Sequence, residues 1–499
     1  MQVTKDFKIG EKIRVEIEKL LQLTDNYVVD DVSIHKMEKG LFKQLLRLGL
    51  ALLIYVIESK MKELRGYSPQ SKEGKRLESK GLKNRKYLSL FGWVDLSRPC
   101  HWSKAGGNYY ELDERLDFPK ASNWSYNLQE LVGENASESD FRESVRMLNK
   151  LLNLNLSGKS SERNAEGLGT LVASYYENKE REVEEEATMC FSASFDGKGV
   201  PKIKRKEQQK NPGKRLKKGE KNGIKQMATV SVTSCFIPKE RSKGSIIRGL
   251  MDSPLSKVTN SEQDSQDGEL NKENDNRWHQ KIHRRAFLDD QGKSINYGLD
   301  DIRARMKNPA SRFVVPIDAG IGLEAKVKAY VTKHKMEEQF DGIIIDIVHV
   351  SEYVWDAATA VLGEGSKLRT NWVKEVLEDL LDSKTDKVIR DFILIRDKGN
   401  LSESRRKQVN KAITYFTNHQ HNMDYKTFIE KGYPVSSALV ESACGHLVKE
   451  RMEQSGMRWS SKGAQNIMDL RAVKLNDDME DFMDFIIKHE HGKISNMAA

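Results

Sequence analysis

The stretch SRFVVPIDAGIGLEAKVKAYVTKHKMEEQFDGIIIDIVHVSEYVWDAATAVL, residues 311–362, decides the fold class because it contains one pattern twice. An apolar run of strand length ends at an acid, Asp318 in the first copy and Asp346 in the second, and a helical pattern follows each acid. Upstream, MCFSASFDGKG, QMATVSVTSCF and RRAFLDDQG read as three further strands. This order predicts an α/β domain with a mixed sheet flanked by helices.

The strand candidates carry acids at or near their carboxyl ends. Asp196 ends the first upstream run, as Asp318 and Asp346 end the two later ones. A carboxylate in that place projects beyond the rim of the sheet, where ligands and metals collect. A single acid there is more often a helix cap or a turn former. Asp289 and Asp290 precede a glycine, as in a hairpin turn, and we interpret both as structural.

A fourth acid lies in VESACGHLVKERMEQSGMRWSSKGAQNIMDLRAV, residues 440–473, which predicts a helix, a glycine-bearing break and a second helix. Glu441, Gly445, Val448 and Met452 share one stripe of the first helix, at offsets of four, seven and eleven. The stripe is expected to face the core. Charged residues are rarely buried there without a partner or a metal.

Together these acids predict a metal site. Mg²⁺ prefers carboxylate oxygens and water, and two such ions about 3.5–4 Å apart serve phosphoryl transfer. Asp196, Asp318 and Glu441 are the predicted ligands, and Asp346 is the alternative second acid. His349 and Glu352, one turn apart, either support this site or form a structural pair.

The composition indicates a polyanionic partner. The chain has 499 residues, 83 Lys and Arg against 74 Asp and Glu, and a pI of about 9.0. Such a basic excess favours nucleic acid, with a merely soluble basic protein as the alternative. Several residues are candidates for DNA contact. They are Lys449, Arg451, Arg458 and Trp459 beyond the glutamate, and Lys214 and Arg215 in the basic tract.

These candidates have structural alternatives. Lys449, Arg451 and Arg458 either contact phosphates or form a solvated helix face. Trp459 either stacks on a frayed base or packs in the core. The basic tract, residues 201–225, carries eleven Lys and Arg against two Glu. It either contacts a phosphate backbone or forms a solvated loop between strands.

Changes in pattern divide the chain into three predicted regions. Residues 1–84 form a helical N-terminal region, and 85–184 combine a small β segment with two helices. Those two helices suit either a DNA-reading helix-turn-helix or a plain helical hairpin. Residues 185–485 form the catalytic domain, with polar insertions at 201–225 and 252–278 and a helical insertion at 356–430.

The sequence also predicts a reducing, cytoplasmic location. The four cysteines lie far apart without a CxxC pair, so neither a disulfide framework nor a zinc ribbon is expected. The N-terminal residues lack the apolar core of a signal peptide. The most apolar run, residues 48–57, is too short to span a bilayer, so no membrane association is expected.

Three motifs carry a family resemblance: SFDGKGVP at 194–201, IIIDIVHVSEYVWDAA at 343–358, and YPVSSALVESACGHLVKERMEQSGMRWSSKGAQNIMDLRAV at 433–473. From about residue 40 to 485 the chain resembles the ISKra-type insertion-sequence transposases, which belong to the aspartate–aspartate–glutamate group. The resemblance implies a ribonuclease-H-like catalytic domain with Asp196, Asp318 and Glu441 in the catalytic places.

The function implied by this resemblance is DNA transposition. The enzyme would use Mg²⁺ or Mn²⁺ to hydrolyse a phosphodiester at the ends of its element and then join the freed 3′ hydroxyl to target DNA. Its partners would be DNA and further copies of itself in a synaptic complex, at the nucleoid in a bacterium. Two alternatives stay open: a DNA-binding derivative with an inactive cluster, and a nuclease that cuts but does not join.

Overall fold

The computed structural model describes residues 10–492 except 65, 68, 71–75, 105, 185, 187, 204–223, 252–278, 321 and 365. The chain divides into two compact units. The first comprises residues 1–177 and 477–499, and the second comprises residues 178–476.

The first unit contains a pair of long helices, a three-stranded antiparallel sheet and a set of shorter helices. Its elements in chain order are α1 (Glu11–Val29), α2 (Ile34–Glu63), β1 (Glu78–Ser89), β2 (Gly92–Ser103), β3 (Gly107–Tyr109), α3 (Glu111–Arg115), α4 (Tyr126–Glu138), α5 (Glu143–Leu152), α6 (Gly158–Gly169) and α7 (Val172–Asn178). α1 and α2 lie in the predicted helical N-terminal region and β1 to β3 in the predicted β segment, whereas the second helix of the predicted pair is divided into α6 and α7. β1 spans residue 84, where the sequence analysis placed a domain boundary.

A buried ion pair network joins the sheet of the first unit to the helix that follows it. The carboxylate of Asp113 accepts hydrogen bonds from Arg85 at 2.9 Å and from Arg98 at 2.6 Å. Beside it, apolar residues of α2, β2 and α3 form a small core that includes Ile57, Val94 and Leu112. The β segment is therefore held in place by both charge and apolar packing.

One described helix, α2, is long and apolar enough to cross a membrane when judged by length and composition alone. Its most apolar 18-residue window has a mean hydropathy of 1.7, and 17% of that window is buried. A packing helix of a soluble protein passes the same test, so the expected lack of membrane association stays a prediction.

The second unit contains a five-stranded sheet and many helices. Its elements are β4 (Cys190–Pro201), β5 (Lys225–Phe236), α8 (Lys243–Met251), β6 (His279–Leu288), α9 (Gln291–Arg305), β7 (Phe313–Ile317), α10 (Leu323–Lys333), β8 (Phe340–Ile345), α11 (Ile347–Leu362), α12 (Lys367–Leu381), α13 (Thr385–Lys398), α14 (Glu403–His419), α15 (Tyr425–Glu430), α16 (Ala438–Ala443), a π-helical segment (Cys444–Lys449), α17 (Glu450–Met452) and α18 (Ser461–Leu475). The last described helix, α19 (Met479–Glu490), belongs to the first unit.

The sheet has the strand order β6–β5–β4–β7–β8. β5 pairs antiparallel with both β4 and β6, whereas β7 runs parallel to both β4 and β8. All five residues of β7 are buried, which is typical of a central strand covered on both faces. The predicted mixed α/β architecture is confirmed at this level.

Two details of the prediction are corrected. No helix was predicted at α9, and Asp289 and Asp290 were expected in a hairpin turn. Asp290 instead caps α9, because its side chain accepts a 2.7 Å hydrogen bond from the backbone of Lys293. In addition, α11 continues to Leu362, so the helical insertion predicted from residue 356 begins inside this helix.

Most of the first predicted polar insertion and all of the second lie outside the described residues. These are residues 204–223, which include Lys214 and Arg215, and residues 252–278. The proposed contact between the basic tract and DNA stays a prediction.

Candidate metal site at the edge of the sheet

Strand register places three aspartates side by side. Phe195 of β4 is the partner of Ile317 of β7, which in turn pairs with Ile345 of β8. The residue that follows each of these three is an aspartate, and neighbouring strands lie only about 4.8 Å apart. Asp196, Asp318 and Asp346 therefore occupy adjacent positions at one edge of the sheet.

The prediction that the first strand ends at Asp196 is wrong. β4 continues to Pro201 because β5 pairs with it over its whole length, from Phe236 opposite Cys190 to Lys225 opposite Pro201. The parallel partner β7 stops at Ile317, one residue before the level of Asp196. Asp196 thus lies in mid-strand, at the point where its parallel neighbour ends.

Asp346 is the most constrained of the three aspartates. Its side chain is fully buried and caps α11, accepting a 2.7 Å hydrogen bond from the backbone of Val348. The other carboxylate oxygen accepts from both the backbone and the hydroxyl of Ser437, just before α16. Asp346 therefore joins the end of β8 to the segment that carries Glu441.

Glu441 lies on α16, where the helix changes its winding. The six residues that follow α16 are π-helical, and the helix then continues through α17. Val448 and Met452 are fully buried, as the predicted stripe requires, but the Glu441 side chain keeps 39% of its surface exposed. The π-helical segment lies between Glu441 and Met452, so the regular helical period assumed in the prediction does not hold across it. Such turns are frequent at functional sites.

His349 links the helix acid to the sheet edge. Its Nε2 lies 3.3 Å from Glu441, and its Nδ1 lies 3.3 Å from Glu352 one turn along α11. Asp346, His349 and Glu441 each offer a ligand atom within 4.8 Å of the others, so this group could hold a metal ion. The sequence analysis proposed the pair of His349 with Glu352 but missed the contact with Glu441, which is 92 positions further along the chain.

The carboxylates at this edge influence one another electrostatically. Burial raises the pKa of Asp318, and Asp196 and Asp346 raise it further, while His349 acts in the opposite direction. Burial also raises the pKa of Glu441, with additional contributions from Asp346 and Asp196. These shifts mean that the negative charges at the site are not fully neutralised by the protein.

A cysteine that was not predicted as a site residue also lies near the cluster. Cys444 is the first residue of the π-helical segment. Burial raises the pKa of its thiol, and the charge of the nearby Asp196 raises it further, so the thiol stays protonated.

The predicted DNA-contacting residues near Glu441 divide into two pairs. Lys449 and Arg458 are exposed and can reach a ligand in solvent. Arg451 and Trp459 are buried, and the guanidinium lies 4.8 Å from the centre of the indole ring. The indole N–H donates to the carbonyl of Met452 at 3.1 Å. For Trp459 the core-packing alternative is thus correct, and Arg451 is not placed to contact DNA.

The donor set suits a hard divalent cation. Asp196, Asp318 and Glu441 supply carboxylate oxygens that Mg²⁺ and Mn²⁺ prefer, and the raised pKa values of Asp318 and Glu441 show that these two acids have too little positive charge nearby. The group of described residues whose ligand atoms lie within 4.8 Å of one another contains Glu441 but neither Asp196 nor Asp318. Asp346 can contribute only at the expense of its contacts with the backbone and with Ser437. A comparison with known protein families and with curated proteins found no match to this chain.

Proposed function

We propose that this protein is a DNA transposase that cuts a phosphodiester and joins the freed end to target DNA with the help of Mg²⁺ or Mn²⁺. The observation that carries the proposal is the register that sets Asp196 beside Asp318, together with the position of Glu441 on α16, near enough for the charge of Asp196 to raise the pKa of Glu441. Such ions, when bound, activate a water or hydroxyl and stabilise the leaving oxygen in phosphoryl transfer.

The order of the strands supports a ribonuclease-H-like reading of the fold. If β4 to β8 are numbered one to five, the sheet runs 3–2–1–4–5, with antiparallel pairs on one side and parallel pairs on the other. Asp196 lies on strand one, Asp318 follows strand four, and Glu441 comes from a late helix. This is the distribution of acids that the resemblance to ISKra-type transposases implies.

The surrounding residues have definable tasks under this proposal. Asp196, Asp318 and Glu441 would hold the cations. His349 orients Glu441, since its two ring nitrogens contact Glu441 and Glu352. Asp346 fixes the separation between α11 and α16 through its bonds to Ser437. The expected homo-oligomer and the cytoplasmic or nucleoid location belong to the same proposal and rest on the resemblance.

The test is metal-dependent cutting and joining by the full-length protein. The substrate is a labelled duplex made from the DNA that flanks the gene, and a second substrate is pre-cut with a free 3′ hydroxyl. We expect Mg²⁺ or Mn²⁺ to support cutting at a fixed position and joining of the pre-cut end. Cutting without joining would favour the nuclease, and DNA binding without either reaction would favour the inactive derivative.

Substitutions at the three proposed ligands should separate chemistry from folding. Asp196→Asn, Asp318→Asn and Glu441→Gln should each lower the rate by roughly a thousandfold or more while DNA binding persists, because a neutral side chain holds the cation weakly. Glu338→Gln is the matched control, since Glu338 is exposed near the opposite end of β8 and should cut at the parent rate. A Glu441→Gln protein that cuts normally would overturn the assignment.

Asp346→Asn tests the alternative second acid. We expect partial activity and reduced stability, because an amide retains the volume but weakens the cap and the bonds to Ser437. Complete loss of cutting in a folded Asp346→Asn protein, combined with an active Asp318→Asn protein, would transfer the second catalytic place to Asp346.

A further inference from the structure

A cleft of about 580 Å³ opens directly beside Asp318. Its walls are the loop after β7, the first turns of α11 and the middle of α14. The volume lies within the range of sites that hold small organic ligands. None of the functional tasks described above uses the α14 wall.

The floor of the cleft is aromatic. The rings of Tyr353 on α11 and Tyr415 on α14 are stacked, with centroids 4.0 Å apart and planes at 19°. Both side chains are half-buried. The hydroxyl oxygen of Tyr415 is inaccessible to solvent and has no hydrogen-bond partner within the part of the chain that the structure describes. Burial raises the pKa of Tyr415, so the hydroxyl remains a neutral donor.

A lysine stands at the mouth of the cleft. Lys411 lies one helical turn before Tyr415 on the same face of α14, so the two side chains are neighbours. Lys411 is exposed and forms no ion pair with any described residue. The acids of the facing wall already have partners, since Glu352 contacts His349 and Asp356 accepts from Gln408 at 2.6 Å.

We propose that this cleft holds one nucleotide of a single-stranded or frayed DNA strand next to the phosphodiester being cut. The base lies against the tyrosine pair, and Lys411 contacts a phosphate of the same strand. The inference rests on the proposed function and adds the binding subsite for the strand. Aromatic rings with a nearby cation are the usual means of holding single-stranded nucleic acid without sequence preference.

The acids that line the cleft favour this ligand over a free polyphosphate. Asp318 would hold a cation under the proposed function, Glu352 keeps its contact with His349, and Asp356 has only the neutral amide of Gln408 as its partner. Lys411 is the only lysine or arginine among the described residues that line the cleft, which is enough for one phosphate at its mouth but not for a polyphosphate. A nucleobase is neutral and flat, so it suits the tyrosine floor at no electrostatic cost.

The experiment uses the full-length protein with Ca²⁺ and a ~12-nucleotide single strand carrying 5-iodo-2′-deoxyuridine, which photo-crosslinks to aromatic side chains. Irradiation followed by proteolysis and mass spectrometry should place the adduct on the peptide that contains Tyr353 or Tyr415. Tyr353→Ala and Lys411→Gln should lower the yield by roughly tenfold, as expected for the loss of a stacking or phosphate contact. Tyr353→Phe should keep it, because the ring remains.

Matched controls keep the result decisive. Lys407→Gln removes the same charge from an exposed position one turn earlier on α14, outside the cleft, and should leave the yield unchanged. Free thymidine monophosphate in excess should compete weakly with the strand, whereas strong competition would indicate a site for a free nucleotide and overturn the proposal. Adducts confined to other peptides, with yields insensitive to Lys411→Gln, would overturn it as well.

The two proposals can fail separately. A protein that crosslinks at Tyr353 or Tyr415 but never cuts DNA would contradict the transposase function and leave a single-strand binding cleft. A protein that cuts DNA equally well with Tyr353→Ala, and that shows no adduct in the cleft, would contradict the subsite alone.

Discussion

The second unit contains acids in two opposite kinds of surroundings: the single buried Asp301, and the acids at the edge of the sheet. Asp301 of α9 is buried and has protein partners on both carboxylate oxygens. One oxygen receives His283 at 3.0 Å and lies 3.4 Å from Arg181, and the other receives Thr233 at 2.6 Å and Arg305 at 3.2 Å. At the sheet edge the situation is different. Among the described residues, Glu441 has one ion-pair partner, His349, and Asp196 and Asp318 have none.

The pKa shifts of the two groups record this difference. Burial alone would raise the pKa of Asp301, but His283, Arg305 and Arg181 outweigh it and hold the pKa well below its usual range. Burial raises the pKa of Asp318, and its carboxylate neighbours raise it further. An acid whose charge is satisfied inside the protein serves the fold. Acids whose charges are left unsatisfied side by side are candidates for binding a cation from solution.

The largest expected effect concerns the satisfied group. Asp301→Ala leaves the fully buried Arg305 without its carboxylate, and breaking such a pair costs about 3–5 kcal/mol. Hydrogen exchange of the β5 and α9 amides should report the loss as a lower free energy of opening. The control is Glu430→Ala, because its ion pair with Lys426 is exposed and should contribute no more than about 1 kcal/mol. Equal losses in the free energy of opening for the two variants would show that Asp301 contributes no more to stability than an exposed acid.

The second effect concerns the unsatisfied group and an added cation. A metal that binds only the folded protein stabilises it by about 2.7 kcal/mol at a concentration one hundred times its dissociation constant. Mn²⁺ should therefore raise the thermal unfolding temperature of the parent protein, and EDTA should reverse the rise. Asp196→Asn, Asp318→Asn and Glu441→Gln should remove most of this gain, whereas Glu338→Gln should keep it. An unchanged gain in all three ligand variants would place the metal elsewhere.

The sequence could predict much of the sheet and the identity of its acids. Two strand–acid–helix repeats identify β7 and β8, because a short apolar run followed by a helical period has few other interpretations. The sequence could not assign roles to Asp318 and Asp346, which occur in nearly the same local pattern. Only the fold shows that Asp346 is bonded to Ser437, 91 residues away, whereas Asp318 is not so engaged.

Other failures have the same origin in long-range contacts. Arg451 was predicted at a surface because cations usually are, yet the fold stacks its guanidinium on Trp459. The helix α9 was missed because its sequence, QGKSINYGLDDIRAR, contains two glycines and many polar residues. Its buried Asp301 is satisfied by residues from β5, β6 and the segment before β4, which local periodicity cannot reveal.

The pH dependence of stability should have opposite signs for Asp301 and Asp318. The lowered pKa of Asp301 means that its stabilisation is present above the unfolded value, near 3.8, and is lost as the pH falls below it. The raised pKa of Asp318 means that its contribution is favourable below the unfolded value and is lost as the pH rises through the folded value. At neutral pH without divalent metal, Asp318 therefore lowers stability.

Asp318→Asn should then be more stable than the parent near pH 7 in EDTA, by up to about 2 kcal/mol, within the usual range of single substitutions. The difference should shrink toward pH 4, where the parent carboxyl is increasingly protonated. Urea unfolding at several pH values measures both quantities. A stabilisation that does not depend on pH would show that repulsion between carboxylates is not its cause.

The smallest effect extends the comparison from acids to cations. Arg458 is exposed, whereas Arg451 is buried over Trp459, although the two lie seven residues apart. If Arg458 contacts a phosphate, Arg458→Gln should reduce the slope of log affinity against log salt by about 1, with little change in stability. Affinity for a labelled duplex at a series of salt concentrations measures this slope, and Lys449→Gln should behave in the same way.

Arg451→Gln should instead lower the free energy of unfolding and leave the slope unchanged in the protein that remains folded, because a buried guanidinium releases no counterions from DNA. A reduced slope in Arg451→Gln, with Arg458→Gln unaffected, would mean that the buried cation becomes exposed when DNA binds.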